Sequence, residues 1–402
     1  MEKQLLLSRT SVNVDESLES YVLRLAIDNG YRDPDKFLRA VSNHILQELK
    51  SDLEIRFKNL NLIHAKGSSK KRLQLLRGIS HLAFKDAHTI QSLLLYRGRE
   101  KFCGSYGSVF YHGITYPRIF LRQNVIPVCP RCLERKGYIR QLWHFSLYDV
   151  CHEHKVKLVH QCRCGHSICF LDDHEIWSCP KCGTIYSDLH TDASATCGES
   201  SFSRWLAGGN VPLLPSFKTG HRWGLVLWWM LLQEQKPETF CRSKIKPFVQ
   251  FFKQWPESFE QWLKDRVDKA LKYSIKPSDQ LNFKDVFGEL LFVSTQLPSS
   301  KLSENSVLSY LMSFFEQHFA VDDGFIAQLR LSAIEVAILL NCDMQQIAVL
   351  VDHGELPTLR NDRASLPLTP YLPNFHLGDV FCLWMTQFQS EHANLHILTS
   401  RW

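Results

Sequence analysis

Four close pairs of metal-binding side chains fall within residues 129–182, and they restrict the fold of this chain more than anything else in it. Cys129-Pro-Arg-Cys132 and Cys151-His-Glu-His154 are separated by eighteen residues. Cys162-Arg-Cys164-Gly and Cys179-Pro-Lys-Cys182-Gly are separated by fourteen. Zinc takes four thiolate or imidazole ligands in a tetrahedron, usually delivered in pairs by two tight turns. In the first set both pairs have two residues between ligands, which lets backbone amides point at the thiolates. His152 is an alternative to His154 but would break that gap. The Cys162–Cys164 pair is tighter, so Cys162 is the open position of the second set, with Cys169 or His160 as substitutes. The glycines after Cys164 and Cys182 suit the turn that follows a knuckle. The expectation is two zinc ions per chain, held by Cys129, Cys132, Cys151 and His154 and by Cys162, Cys164, Cys179 and Cys182.

Both sets are complete, which points to structure rather than catalysis. A catalytic zinc keeps one position open for water. The zinc-deaminase signature, His-x-Glu with Pro-Cys-x-x-Cys, is missing, because Pro130 and Pro180 follow their cysteines. The acidic run Asp172-Asp173-His174-Glu175 reads as a solvated loop. A phosphate-binding loop of the form G-x-x-x-x-G-K-[ST] is absent. The chain is therefore not expected to be an enzyme.

Thirteen cysteines, an odd number with eight of them in residues 129–182, argue against a secreted disulfide framework. Leu5–Leu7 is too short for the core of a signal peptide. The longest apolar run, Leu225–Leu232, falls far short of the roughly 20 residues that span a bilayer. A cytoplasmic location with no membrane partner is expected.

Periodicity suggests a mainly α fold in four parts. Residues 1–100 read as a small helical module. Leu18, Tyr21, Val22, Leu25 and Ala26 form one face of a first helix closed by Gly30, and Pro34 opens a second over 35–50. Residues 101–200 lose helical periodicity and hold the two finger-like metal sites. Residues 201–320 are helical and aromatic. Trp223, Trp228, Trp229, Phe248, Phe252 and Phe259 recur at helical steps that predict core packing rather than a base-stacking platform. Residues 321–402 carry a helix-turn-helix and a proline-containing tail. Its first helix has Ser332 and Glu335 as a capping box, Asn341-Cys342-Asp343 makes the turn, and Ile347, Val349, Leu350 and Val351 line the second helix.

Charge is uneven. The net charge is +6, but residues 64–101 alone carry +7. Lys66, Lys70, Lys71, Arg72 and Arg77 are candidate contacts to nucleic acid or to an acidic partner. Gln345 and Gln346, at the start of the second helix of the pair, are further candidates. Basic residues are missing around them until Arg360 and Arg363, which makes protein docking at least as good a use of that motif as DNA reading.

The pattern Cys129-Pro-Arg-Cys132-Leu133, Tyr138, Trp143, Cys151-His-Glu-His154, Leu158, Cys162-x-Cys164-Gly165 resembles the TniQ family of transposition proteins. The segment Glu16-Ser17-Leu18-Glu19-Ser20-Tyr21-Val22-Leu23-Arg24-Leu25-Ala26 resembles the opening helix of that family, with Tyr21 in place of Trp. The resemblance covers residues 15–185 and implies target selection for a heteromeric transposon. In its short CRISPR-associated branch it implies a homodimeric, non-catalytic adaptor. Such an adaptor docks on a Cascade effector with guide RNA, near the crRNA-processing endonuclease and the adjacent backbone subunit. It recruits the AAA+ regulator TnsC and meets DNA only indirectly. The other branch implies a TnsD-like protein that recognises an attachment site directly.

Overall fold

The computed structural model describes residues 6–49, 55–65, 69–189, 195–321, 324–359 and 369–392. They form seventeen helices and seven short strands. The strands make one three-stranded sheet and two two-stranded sheets. The chain divides into two compact units, one of residues 1–100, 107–223 and 236–247, the other of residues 101–106, 224–235 and 248–402.

In the first unit the opening helix is Leu18–Asp28, capped by the Ser17 hydroxyl, which accepts from the Ser20 amide. Leu18, Tyr21, Val22, Leu25 and Ala26 are buried as their spacing requires. Glu19, Ser20 and Leu23 are buried too, so the helix is enclosed well beyond one face. Helices Pro34–Leu49, Ser69–Leu82 and Ala87–Ser92 follow. The all-helical reading of residues 1–100 stops at Tyr96, where a strand begins. Tyr96–Phe102, Tyr106–Tyr111 and Ile114–Pro117 pair in that order, with Ser108 opposite Pro117 and Tyr111 opposite Ile114. Most of the strand Tyr96–Phe102 is exposed or half-buried, so Arg97, Arg99 and Lys101 occupy positions where an apolar alternation would have announced it. Tyr116, Phe145 and Trp223 meet in an aromatic core, with the Trp223 ring 5.3 and 5.1 Å from the other two.

The second unit is built on Trp228. Its ring lies 5.1–6.4 Å from those of Phe251, Phe252, Trp255 and Phe259. Trp229 meets Phe248 edge-on. Trp228, Trp229, Phe248, Phe252 and Phe259 are buried, as the helical spacing implies, and Phe251 and Trp255 are half-buried. Helices Ala333–Leu340 and Met344–Asp352 are joined by a three-residue turn and bent by 100°. The strand Arg330–Ser332 pairs with Pro373–His376, and helix Leu377–His392 follows. Val349 and Val351 are only half-buried, because Gln346, Ile347 and Leu350 take the inner face. Arg360 and Arg363 lie outside the described residues. No single helix among the described residues is long and apolar enough to cross a membrane.

Candidate metal centres

Cys129 caps the short helix Pro130–Lys136, with Pro130 in the first turn, where a missing amide hydrogen costs nothing. Gly137 ends that helix at φ +72°. Cys151 closes the strand Val150–Cys151, which pairs with Val156–Lys157. The turn between them brings His154 back over Cys151, with the Lys155 amide donating to the Cys151 carbonyl at 2.7 Å. His154 Nδ1 then lies 3.5, 3.3 and 3.5 Å from the sulfurs of Cys129, Cys132 and Cys151. Cys132 and Cys151 are 3.6 Å apart.

In the second set the Gly165 and Gly183 amides donate to the Cys162 and Cys179 carbonyls, each at 2.9 Å. Both glycines have positive φ, +81° and +70°, the left-handed conformation this turn demands. The sulfurs of Cys162 and Cys182 are 3.5 Å apart, those of Cys164 and Cys179 3.7 Å. The four donor atoms of each set all lie within 4.8 Å of one another.

These separations have a chemical meaning. They exceed by far the roughly 2.05 Å of a disulfide. With metal–sulfur bonds of about 2.3 Å and metal–nitrogen bonds of about 2.0–2.1 Å, tetrahedral vertices lie roughly 3.5–3.8 Å apart. The donors therefore stand where a tetrahedral ion needs them, and each set can hold a metal ion. The alternative ligands are occupied elsewhere. His152 Nδ1 meets the Tyr148 hydroxyl at 2.8 Å, His160 Nε2 meets Asp149 at 2.6 Å, and the Cys169 thiol donates to Asp172 at 3.5 Å.

The two sites differ in exposure. Cys129, Cys132 and Cys151 are all buried, whereas Cys164 and Cys182 of the second set are exposed. Thiol hydrogen bonds from Cys129 and Cys132 hold the Cys151 thiol well below its usual range. The contact with Thr184 brings Cys182 down to about 6. In each cluster one thiol is thus held toward the thiolate, the form that binds a metal, while Cys129, Cys132 and Cys164 are pushed up beside their thiol neighbours. The acidic run is not a solvated loop. Phe170–Asp173 is a helical turn in which Asp173 accepts from His166 at 3.0 Å and Asp172 pairs with Lys58.

A polar network around the first site was not apparent in the ligand spacing. Glu153 sits between two ligands and pairs with Arg140 at 2.8 Å and Lys136 at 3.3 Å. Arg140 also holds Asp15 at 2.6 Å, just before the opening helix. Ser20 takes the Ile139 amide at 3.0 Å and donates to Glu16 at 2.9 Å. Glu16 is fully buried, and burial pushes its carboxyl up even though Arg24 Nη1 lies 2.7 Å away. The only advance signal was that Ser20 and Arg24 are polar residues on a helix with an apolar face and that Glu16 stands just before it.

The other candidate contacts are scattered. Lys66 lies outside the described residues. Lys70, Lys71 and Arg77 are exposed on helix Ser69–Leu82. Arg72 is turned inward, where Nη2 donates to the Leu60 carbonyl at 2.9 Å. Gln345 is exposed, but Gln346 is buried and closes a capping box with Asp343.

Residues 8–158 match the family model TniQ. The chain carries a TniQ domain. The matched span takes in the opening helix and the whole first metal set, and it ends before Cys162, so the second set lies beyond the TniQ match. Within it Leu133, Trp143 and Leu158 are buried. No curated protein gives a significant match to the chain.

Proposed function

We propose that this protein is a non-catalytic target-selection adaptor of a DNA transposition system, with a zinc ion at each of its two centres. The observation that carries the reading is the TniQ match over residues 8–158, combined with complete four-donor sets that leave no ligand position for water. The mechanism is positional. The Asp15–Arg140–Glu153 bridge ties the opening helix to the first centre, so the surfaces that meet partners are presented rigidly.

On the finer reading, the adaptor joins a guide-RNA-loaded Cascade complex to the AAA+ regulator TnsC and acts as a homodimer. The bent pair Ala333–Leu340 and Met344–Asp352 acts as a helix-turn-helix that docks on protein. One observation favours docking over direct attachment-site recognition. Gln346 is spent on capping, and Asp343 and Asp352 flank the exposed Gln345, an arrangement that repels phosphates.

Co-purification with Cascade subunits, with and without guide RNA, tests the finer reading. The adaptor co-purifies in at least one condition. Failure in both, together with tight and sequence-selective binding of naked duplex by the isolated protein, would establish the direct DNA reader instead.

A further inference from the structure

Phe84 stands in a conformation that its residue type resists. It follows helix Ser69–Leu82 at φ +54°, and the Lys85 amide donates to the Ser80 carbonyl at 2.9 Å across it. This is the left-handed cap position that glycine usually fills where a helix ends this way. A bulky aromatic there is strained, and a strained residue is worth a search for function. The strain is not repaid by burial, since the ring is 68% exposed. The Arg9 guanidinium lies over it, 4.8 Å from the ring centre.

The surface leading to this ring is basic. Lys70, Arg77 and His81 are exposed on helix Ser69–Leu82, spaced by seven and four residues, which puts them on one face. At 1.5 Å per residue the stripe runs about 17 Å before it reaches Phe84. Arg9 is exposed beside the ring, and Lys85 follows it. Neither Lys70, Arg77 nor Arg9 forms an ion pair with an acidic side chain among the described residues.

A charged track that ends in a displayed ring is how proteins hold unpaired nucleic acid. Cations follow the phosphates, and an aromatic face stacks a base whatever its identity. Duplex DNA hides its base faces, so the ring gains nothing from it. We infer that the helix Ser69–Leu82 with Phe84 and Arg9 is a binding surface for single-stranded nucleic acid, with Phe84 as the stacking platform. The surface deepens the adaptor reading by giving its N-terminal face a ligand class. Its test is direct binding, so its failure leaves recruitment of the transposition machinery untouched.

The experiment is fluorescence anisotropy of the full zinc-loaded chain with labelled 15-nucleotide oligo-dT and oligo-U and with a 15-base-pair duplex, at several salt concentrations. The single strands bind more tightly than the duplex, and affinity falls with salt. Phe84→Ala weakens single-strand binding about tenfold and leaves the salt slope unchanged. Phe84→Trp retains binding. Arg77→Gln lowers the salt slope by about 0.7, the share of one phosphate contact on a single strand. Phe84→Gly relieves the backbone, so it raises the melting temperature while it weakens binding. Equal binding by Phe84→Ala and the native chain, or a duplex bound as tightly as the single strands, overturns the inference.

Discussion

Arg140 bridges two carboxylates that lie far apart in the chain. Its side chain is 7% exposed, while those of Asp15 and Glu153 are about one-third exposed at 37% and 33%. Removing one partner of a fully buried pair costs 3–5 kcal/mol, and solvent at the two carboxylates reduces that, so Arg140→Ala should destabilise the chain by about 2 kcal/mol. Urea denaturation of the zinc-loaded protein, followed by circular dichroism, measures it; a loss below about 0.5 kcal/mol would show that the bridge is ordinary surface pairing. Ser20 makes a second prediction at this scale. Its hydroxyl accepts from the Ile139 amide and donates to the buried Glu16. Ser20→Ala leaves that amide and that carboxylate short of a partner, at a cost of about 2 kcal/mol. Ser20→Thr supplies a hydroxyl again and should recover part of the loss, which a purely steric account of the alanine variant does not anticipate.

Local signals fix some elements well and others not at all. Ser332 and Glu335 announce their helix because a capping box needs only residues three apart, and the box forms, with the Ser332 hydroxyl taking the Glu335 amide. The same logic applied to Asp343 and Gln346 would have removed Gln346 from the candidate contacts, but its position at the start of a second helix drew attention to its reach instead. Asp343→Ala removes the carboxylate that accepts from the Gln346 amide and should destabilise helix Met344–Asp352 by about 1 kcal/mol, the usual worth of an N-cap. Hydrogen exchange should show faster amides in that helix and unchanged ones in Glu257–Tyr273; an equal change in both would mean a global effect. The eight metal donors were legible because ligand spacing is a local property, and the choice of Cys162 over His160 was not, because it turns on Asp149 having taken His160. The strand Tyr96–Phe102 was hidden for a different reason. A strand that shows most of its side chains to solvent leaves no apolar alternation to read.

At the scale of the whole chain, the two candidate metal centres, one of three cysteines and a histidine and one of four cysteines, have unequal shelter, and that inequality should set the order in which they empty. A structural zinc adds on the order of 10 kcal/mol to folding, so a buried site surrenders its ion only when the structure around it opens. The first centre has three buried sulfurs and is fastened to the opening helix through Arg140. In the second, Cys164 and Cys182 face solvent, and an incoming chelator can reach the ion without unfolding anything. Elemental analysis should give two zinc ions per chain, and a chelator challenge followed with a zinc-responsive dye should release them in two phases of equal size. Cys182→Ser should abolish the fast phase and leave a folded chain with one zinc. Cys132→Ser should abolish the slow phase and expose the amides of helix Leu18–Asp28 to exchange, because the network that pins that helix is anchored between two ligands at Glu153. A single phase, or a fast phase that survives Cys182→Ser, would mean that shelter does not govern release. The order matters for the adaptor reading, because the TniQ match contains only the slow centre. Loss of the second zinc should therefore leave the matched domain standing, whereas loss of the first should dismantle it.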